Sequence, residues 1–353
     1  MDQIIRIGMD TSKSVFQVEG VSAGDVPVLR KKLNRSQIVP FFQKLPPTKV
    51  GLEACGASHH WGRVLEGLGH EVVLIPPQYV KPYLKRGKND ANDAAAICEA
   101  MSRPTMRFVP VKTAEQQGDL MLVTVRELLI RQRTQLSNAI RGHATEFGVT
   151  RARGLCQMPE LFRLIADHDA VPTTAREMFT LLEAQFDDLE RRIAEISRRL
   201  EAWHKSSPVS RNLATIPGVG KVTAALLAMK IPDPHVFKSG RHMAAWVGLT
   251  PKDHSTAGRQ RQGGITKAGD DALRQALVLG ATVVVMHARG GRLRRSQPWL
   301  TGVIARKPPK VAAVALANKT ARIAWKMMIT GEAYRGTPNK KDSDKLGPER
   351  LAA

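Results

Sequence analysis

Cysteine is scarce in this sequence, with three residues in 353, at positions 55, 98 and 156. Scattered and odd in number, they fit neither a disulfide framework nor the close spacing of zinc ligands, and a reducing cytosol is the simple reading. Long apolar runs are missing as well. The longest, around Ala276 to Met286, is too short to cross a bilayer, and the opening MDQIIRIG is charged where a secretory leader would be apolar. A soluble, cytoplasmic protein without a membrane partner is therefore expected. Negative charge is the third deficiency: 32 Asp and Glu stand against 54 Lys and Arg, a net charge of +22. Such an excess points to a polyanion held by counterion release, nucleic acid first, with a generally solvated basic surface or anionic lipid as the blander readings. Distribution favours the former. From Lys238 to Lys310 fourteen Lys and Arg face three Asp, whereas Thr173 to Glu201 is mixed in sign.

What is present divides the chain into regions of different periodicity. Ile4 to Met9 is an apolar run ending at Asp10, and Ser14 to Val18 alternates, so a hairpin with Asp10 at a strand end is expected. Val50–Glu53 and Glu71–Pro76 read as two further strands separated by a helix over 59–68, and 91–101 reads as a helix entered through Asp90. Together these predict an α/β domain over residues 1–110. Long helical patterns over 113–147 and 173–203 predict an antiparallel hairpin or coiled coil within 111–206, whose bland role is a spacer or dimerisation arm. Residues 207–335 read as mainly helical, interrupted by a Gly-rich polar loop over 252–269, and 336–353 as a disordered tail.

Three constellations carry chemistry. Asp10 and Glu53 each end an apolar strand, where a buried carboxylate needs a compensating cation, and Asp90 and Asp93 lie three apart on one helix face. Four carboxylates suit hard divalent ions, Mg2+ or Mn2+, which orient a phosphodiester. For the aspartate pair alone, an N-cap and a solvated face would suffice. The second constellation, Ile216-Pro-Gly-Val-Gly220 between apolar helices, matches a helix-hairpin-helix in which Gly218, Gly220 and Lys221 meet a phosphate; a tight helix connection is the alternative. In the third, Ser255 stands among Arg259, Arg261 and Lys267, cations able to anchor a phosphate while a hydroxyl attacks phosphorus. Thr256 offers the same group, and a loop serine is commonly just a cap. The neighbouring His59, His60 and Trp61 are read as a helix start packed onto the first domain rather than a metal or stacking site.

The segments GMDTSK, LEACGASHHW, LIPPQYVKPY, KNDANDAAAICEA, IPGVG and AAWVGLTPKDHSTAGRQRQGGITKAGDDALR, in this order, resemble the IS110 family of bacterial insertion-sequence transposases, specifically its IS1111-type branch. The resemblance implies an N-terminal RNase H-like domain of the Holliday-junction-resolvase type, with a DEDD tetrad at Asp10, Glu53, Asp90 and Asp93. It also implies a coiled-coil linker and a C-terminal transposase domain with Ser255 as nucleophile. Many relatives carry a glycine where Ala257 stands. Implied partners are donor and target DNA, a structured noncoding guide RNA, and further copies of the chain in a dimer or tetramer, nucleoid-associated when acting. Two rivals remain at this level: a resolvase-type nuclease in which water attacks, and a non-catalytic nucleic-acid-binding protein.

Overall fold

The computed structural model describes residues 3–84, 90–256, 258–259, 261–291 and 298–335, with the side chains of residues 90 and 91 outside that description. The chain divides into two compact units, Met1–Gly118 and Asp119–Ala353.

In the first unit, β1 (Arg6–Asp10) and β2 (Val15–Val21) form the antiparallel hairpin that the alternation predicts. β3 (Pro27–Asn34) extends it on the far side of β2, again antiparallel. No apolar pattern announces this strand, because it is an edge whose Arg30, Lys31 and Lys32 are exposed. After α1 (Ile38–Phe42), β4 (Lys49–Glu53) joins β1 in parallel; after α2 (Ser58–Gly67), β5 (Glu71–Ile75) joins β4 in parallel. The sheet order is β3-β2-β1-β4-β5. Beyond β5, the Val109 amide donates to the Leu74 carbonyl at 2.7 Å in an isolated bridge.

The two-residue period of a strand sorts the sheet into faces. Ile7, Met9, Val50 and Leu52 bury one face with Phe42 of α1 and Trp61 and Leu65 of α2, each aliphatic side chain contributing roughly 2 kcal/mol. The opposite face carries Gly8, Asp10, Gly51 and Glu53. Against it, beyond the short α3 (Pro77–Val80), lies α4 (Asp90–Met101), whose Ile97, Ala100 and Met101 pack with Val73 and Ile75.

Mostly helical structure follows. α5 (Ala114–Glu146) and α7 (Thr173–Ser206) run antiparallel, tied at intervals of about two turns by Asp119 with Trp203 at 2.7 Å, Arg126 with Ser197 at 2.9 Å and Arg133 with Glu190 at 2.8 Å. Between them in sequence, α6 (Met158–Asp167) packs Leu161, Phe162 and Ile165 into a core with Ile140, Phe179 and Phe186. The C-terminal core gathers α8 (Pro208–Leu213), α9 (Lys221–Lys230), α10 (Gly240–Trp246), α11 (Asp271–Arg289), α12 (Pro298–Arg306) and α13 (Pro309–Thr330). Small side chains set its spacing, Ala281 on α11 and Ala313, Ala317, Ala321 and Ala324 on α13 among them.

The expected Gly-rich loop over 252–269 contains a short antiparallel ribbon, β6 (Pro251–Asp253) with β7 (Gln262–Ile265). Pairing here is through the backbone, so polar side chains conceal it. Among the described residues no helix is long and apolar enough to cross a membrane. The tail expected over 336–353 lies outside them.

Candidate active site

Parallel pairing of β1 with β4 sets Met9 opposite Leu52, so the next residues, Asp10 and Glu53, end neighbouring strands on the same face. Just beyond, Thr11 Oγ1 and Cys55 Sγ hydrogen-bond at 3.1 Å and tie the two departing loops together. The glycines two residues earlier let α4 approach. A Cβ on Gly8 would lie 2.2 Å from the Ala94 carbonyl oxygen and 2.6 Å from the Cys98 amide, and one on Gly51 would strike Met101 Sδ at 2.2 Å. Arg6 Nε donates to the Cys98 carbonyl at 3.1 Å. With Cys98 against Arg6 and Ala94 against Gly8, α4 descends opposite to β1, and its first turn lies towards Asp10 and Glu53.

The electrostatics follow from that crossing. Burial raises the Glu53 carboxyl above its usual range, the Asp93 carboxylate pushes it further in the same direction, and Lys81 pulls it part of the way back. Asp10, Glu53 and Asp93 are all half-buried. Among the described residues no three His, Cys, Asp or Glu side chains form a group able to hold a metal ion. Asp90 begins α4, with its side chain outside the described residues. The donor chemistry nevertheless fits a hard cation: carboxylate oxygens, with repulsion between Glu53 and Asp93 that a divalent charge would relieve.

His59 belongs to the scaffold. It accepts the Lys112 amide at 3.1 Å through Nδ1, and burial together with Lys112 and Arg63 lowers its pKa to about 4, keeping it neutral. Trp61 packs edge-on to Phe16, with Arg35 over its ring. The Cys98 thiol, buried in the β1–α4 seam, is pushed up to about 11.

In the second unit Ser255 is exposed where the β6–β7 ribbon turns. Its hydroxyl donates to Asp253 Oδ1, its amide donates to the same oxygen at 2.9 Å, and the Arg261 amide donates to Ser255 Oγ at 3.1 Å. The Ser255 hydroxyl, and after it the Ser255 amide, hold the Asp253 carboxyl below its ordinary range. Asp253 escapes a reading of the sequence; its place two residues before the serine is the one available signal. Thr256 is tied into the turn by reciprocal backbone bonds with Arg259 at 3.3 and 3.0 Å. Arg259, Arg261 and Lys267 are exposed, Lys267 with a positive φ of 55°.

The root of the ribbon is clamped. Buried Arg274 donates to the Val247 and Ala268 carbonyls at 2.9 and 3.1 Å, and Gly248 and Gly269 cross so closely that a Cβ on Gly269 would lie 1.8 Å from the Trp246 carbonyl oxygen.

The Pro217–Gly220 turn is engaged mostly with the protein itself. Gly218, at φ +85°, lies where a Cβ would be 2.8 Å from the Gly280 carbonyl oxygen of α11, so its glycine serves helix packing. Lys221 pairs with Glu201 at 2.6 Å. Gly220, which caps α9, has open space around its Cα.

Comparison with known proteins settles the family. Residues 7–148 match the DEDD transposase family of IS110 type, and residues 210–296 match the family described as Transposase IS116/IS110/IS902. A putative transposase of Sinorhizobium fredii is 58% identical over 335 residues, covering 95% of this chain and 87% of that protein. This chain belongs to the IS110 family of transposases. The transposase is also 45% identical to a probable family 20 transposase of Pseudomonas aeruginosa, over 94% of this chain and 98% of the relative. To the transposase of insertion sequence element IS1111A from Coxiella burnetii it is 38% identical, over 95% and 92% of the two chains. As a transposase it is an enzyme of DNA transposition and binds DNA, and its DEDD domain implies use of a divalent metal. The acidic strand ends lie inside the first match and the serine ribbon inside the second.

Proposed function

We propose that this transposase mobilises its insertion sequence by breaking and rejoining DNA through Ser255, with Asp10, Glu53, Asp90 and Asp93 as its divalent-metal site. The observation that carries this reading is the setting of Ser255 Oγ, exposed on a clamped ribbon, donating to a carboxylate and accepting from a backbone amide. As Oγ attacks phosphorus its proton passes to Asp253, an Oγ–P bond forms, and the P–O bond to one sugar oxygen breaks; that oxygen takes a proton from water. In rejoining, a DNA hydroxyl gives its proton back to solvent as it attacks the phosphoserine, the new P–O bond forms, and Ser255 Oγ leaves and regains its proton from Asp253. One phosphodiester replaces another, so no energy source is required. Arg259, Arg261 and Lys267 hold the phosphate and spread its charge, and Gly220 with the first amides of α9 offers a second phosphate contact.

Bound Mg2+ or Mn2+ supplies charge neutralisation at the phosphodiester oxygens. The sheet order, with acidic residues ending two adjacent parallel strands, supports an RNase H-like, Holliday-junction-resolvase-type fold for residues 1–110. The helical pair of 111–206 serves as a spacer or assembly arm, and 207–335 carries the serine. Assembly as a dimer or tetramer, in which one subunit's carboxylates serve another's serine, and guidance by a noncoding RNA belong to the same reading. Their support is the family resemblance and the charge of +22.

Trapping tests the chemistry. Labelled DNA should stay on the wild-type protein in a denaturing gel; Ser255→Ala should retain none while still binding DNA, and Asp253→Asn should slow adduct formation by about 10²-fold. An undiminished adduct with Ser255→Ala removes Ser255 from the mechanism. Strand breakage without any adduct in the wild type assigns the attack to water.

A further inference from the structure

The strongest unassigned feature is a basic groove in the second unit, apart from the residues discussed so far. α13 contains no Asp or Glu in its twenty-two residues. Lys319, Arg322 and Lys326 follow one another at three- and four-residue steps, so they form a stripe on one helix face, with about 10 Å of axis between the first and last. Arg241 at the start of α10 and Arg335 just past α13 add to the lining of a groove of about 1000 Å³. This is far more room than one small anion needs. The close approach of α10 to α13 shapes it: a Cβ on Gly240 would lie 3.0 Å from the Arg322 carbonyl oxygen.

The charge in this groove is largely uncompensated. Among the described residues Arg241, Arg322 and Lys326 enter no ion pair, and the one carboxylate of the lining, Glu332, sits 3.9 Å from Arg335. Lys319 lies over the ring of Trp299, its Nζ 4.2 Å from the centroid, which fixes its ammonium in place. An extended row of cations that the protein does not itself neutralise matches an extended row of anions.

α13 is also coupled to the serine ribbon. Asn318, beside Lys319, donates from its side-chain amide to the Leu249 carbonyl at 3.1 Å, two residues before β6 begins. α10, whose first residues line the groove, leads at its other end into the Trp246–Gly248 segment on which the ribbon is clamped.

We propose that this groove is a nucleic-acid binding site that holds a sugar-phosphate backbone through Arg241, Lys319, Arg322 and Lys326. The contact is with phosphates rather than base edges, so it contributes affinity and register without reading sequence. It operates whether or not Ser255 is the nucleophile.

The test is the salt dependence of binding by the full chain, measured on a DNA duplex and on a structured RNA of similar length. Each neutralised phosphate contributes about 0.9 to the slope of log K against log salt on duplex DNA and about 0.7 on single strands. Replacing both Arg322→Gln and Lys326→Gln should flatten that slope by about 1 to 2. The charge-keeping pair Arg322→Lys and Lys326→Arg should leave it as in the wild type. A flattened slope on DNA alone, on RNA alone, or on both supports the groove and identifies which backbone it holds. An unchanged slope on both overturns the proposal. So does equal flattening by the charge-keeping pair, or by Arg131→Gln with Arg198→Gln on the exposed faces of α5 and α7.

Discussion

Glu53 is held in a conflict that strains the metal-free protein and that a bound cation would relieve. With its carboxyl raised above the usual range by burial and by Asp93, the folded state holds the Glu53 proton more tightly than the unfolded chain does. Because the folded pKa lies above the unfolded one, the stabilising contribution is present at acid pH and is lost as pH rises through the folded value. Glu53→Gln should therefore raise the melting temperature of metal-free protein at neutral pH by roughly 2 °C, with less gain near pH 4. The same variant should lose the stabilisation that added magnesium gives the wild type. A scan in EDTA and in magnesium across that pH range measures both, and equal melting temperatures for variant and wild type at neutral pH would contradict the assignment. Asp10 and Glu53 were legible in the sequence because each terminates an apolar strand. Asp253 was not, since its meaning comes from a hydroxyl that only the ribbon's turn brings to it.

At the scale of elements, β1, β2, β4, β5, α4 and the long helices follow from period and caps, because each buries a continuous apolar face. β3 and the ribbon do not: β3 is an edge with an exposed basic face, and the ribbon buries almost nothing. α6 does carry the helical period in Met158, Leu161, Phe162 and Ile165, but its ten residues are short beside the two long patterns that flank it. A motif alone also leaves purpose open: Gly218 lies in the expected turn, and its missing side chain admits Gly280 of α11. The seating of α4 gives a graded prediction. Gly8→Ala drives a methyl group into the backbone at Ala94 and Cys98, which cannot yield locally, and should cost about 3 kcal/mol. Gly51→Ala meets the flexible end of Met101 and should cost about 1 kcal/mol. Chemical denaturation compares them, and an equal cost would show that α4 is not fixed by the Gly8 contact.

For the whole molecule, the division into Met1–Gly118 and Asp119–Ala353 means that the cores of the two units are built from separate sets of side chains. Calorimetry should therefore resolve two transitions. Gly8→Ala should lower one of them, and Arg274→Met, which removes the clamp beneath the serine ribbon, should lower the other. A single transition that both variants shift alike would mean that the units unfold as one.

The borders of the five-stranded sheet carry a last consequence. An unguarded strand border invites backbone pairing with another chain, the route to fibrils. Here one border displays Arg30, Lys31 and Lys32, and Val109 occupies a position along the other. Crowded copies of this enzyme are thereby steered away from polymerising through their sheets.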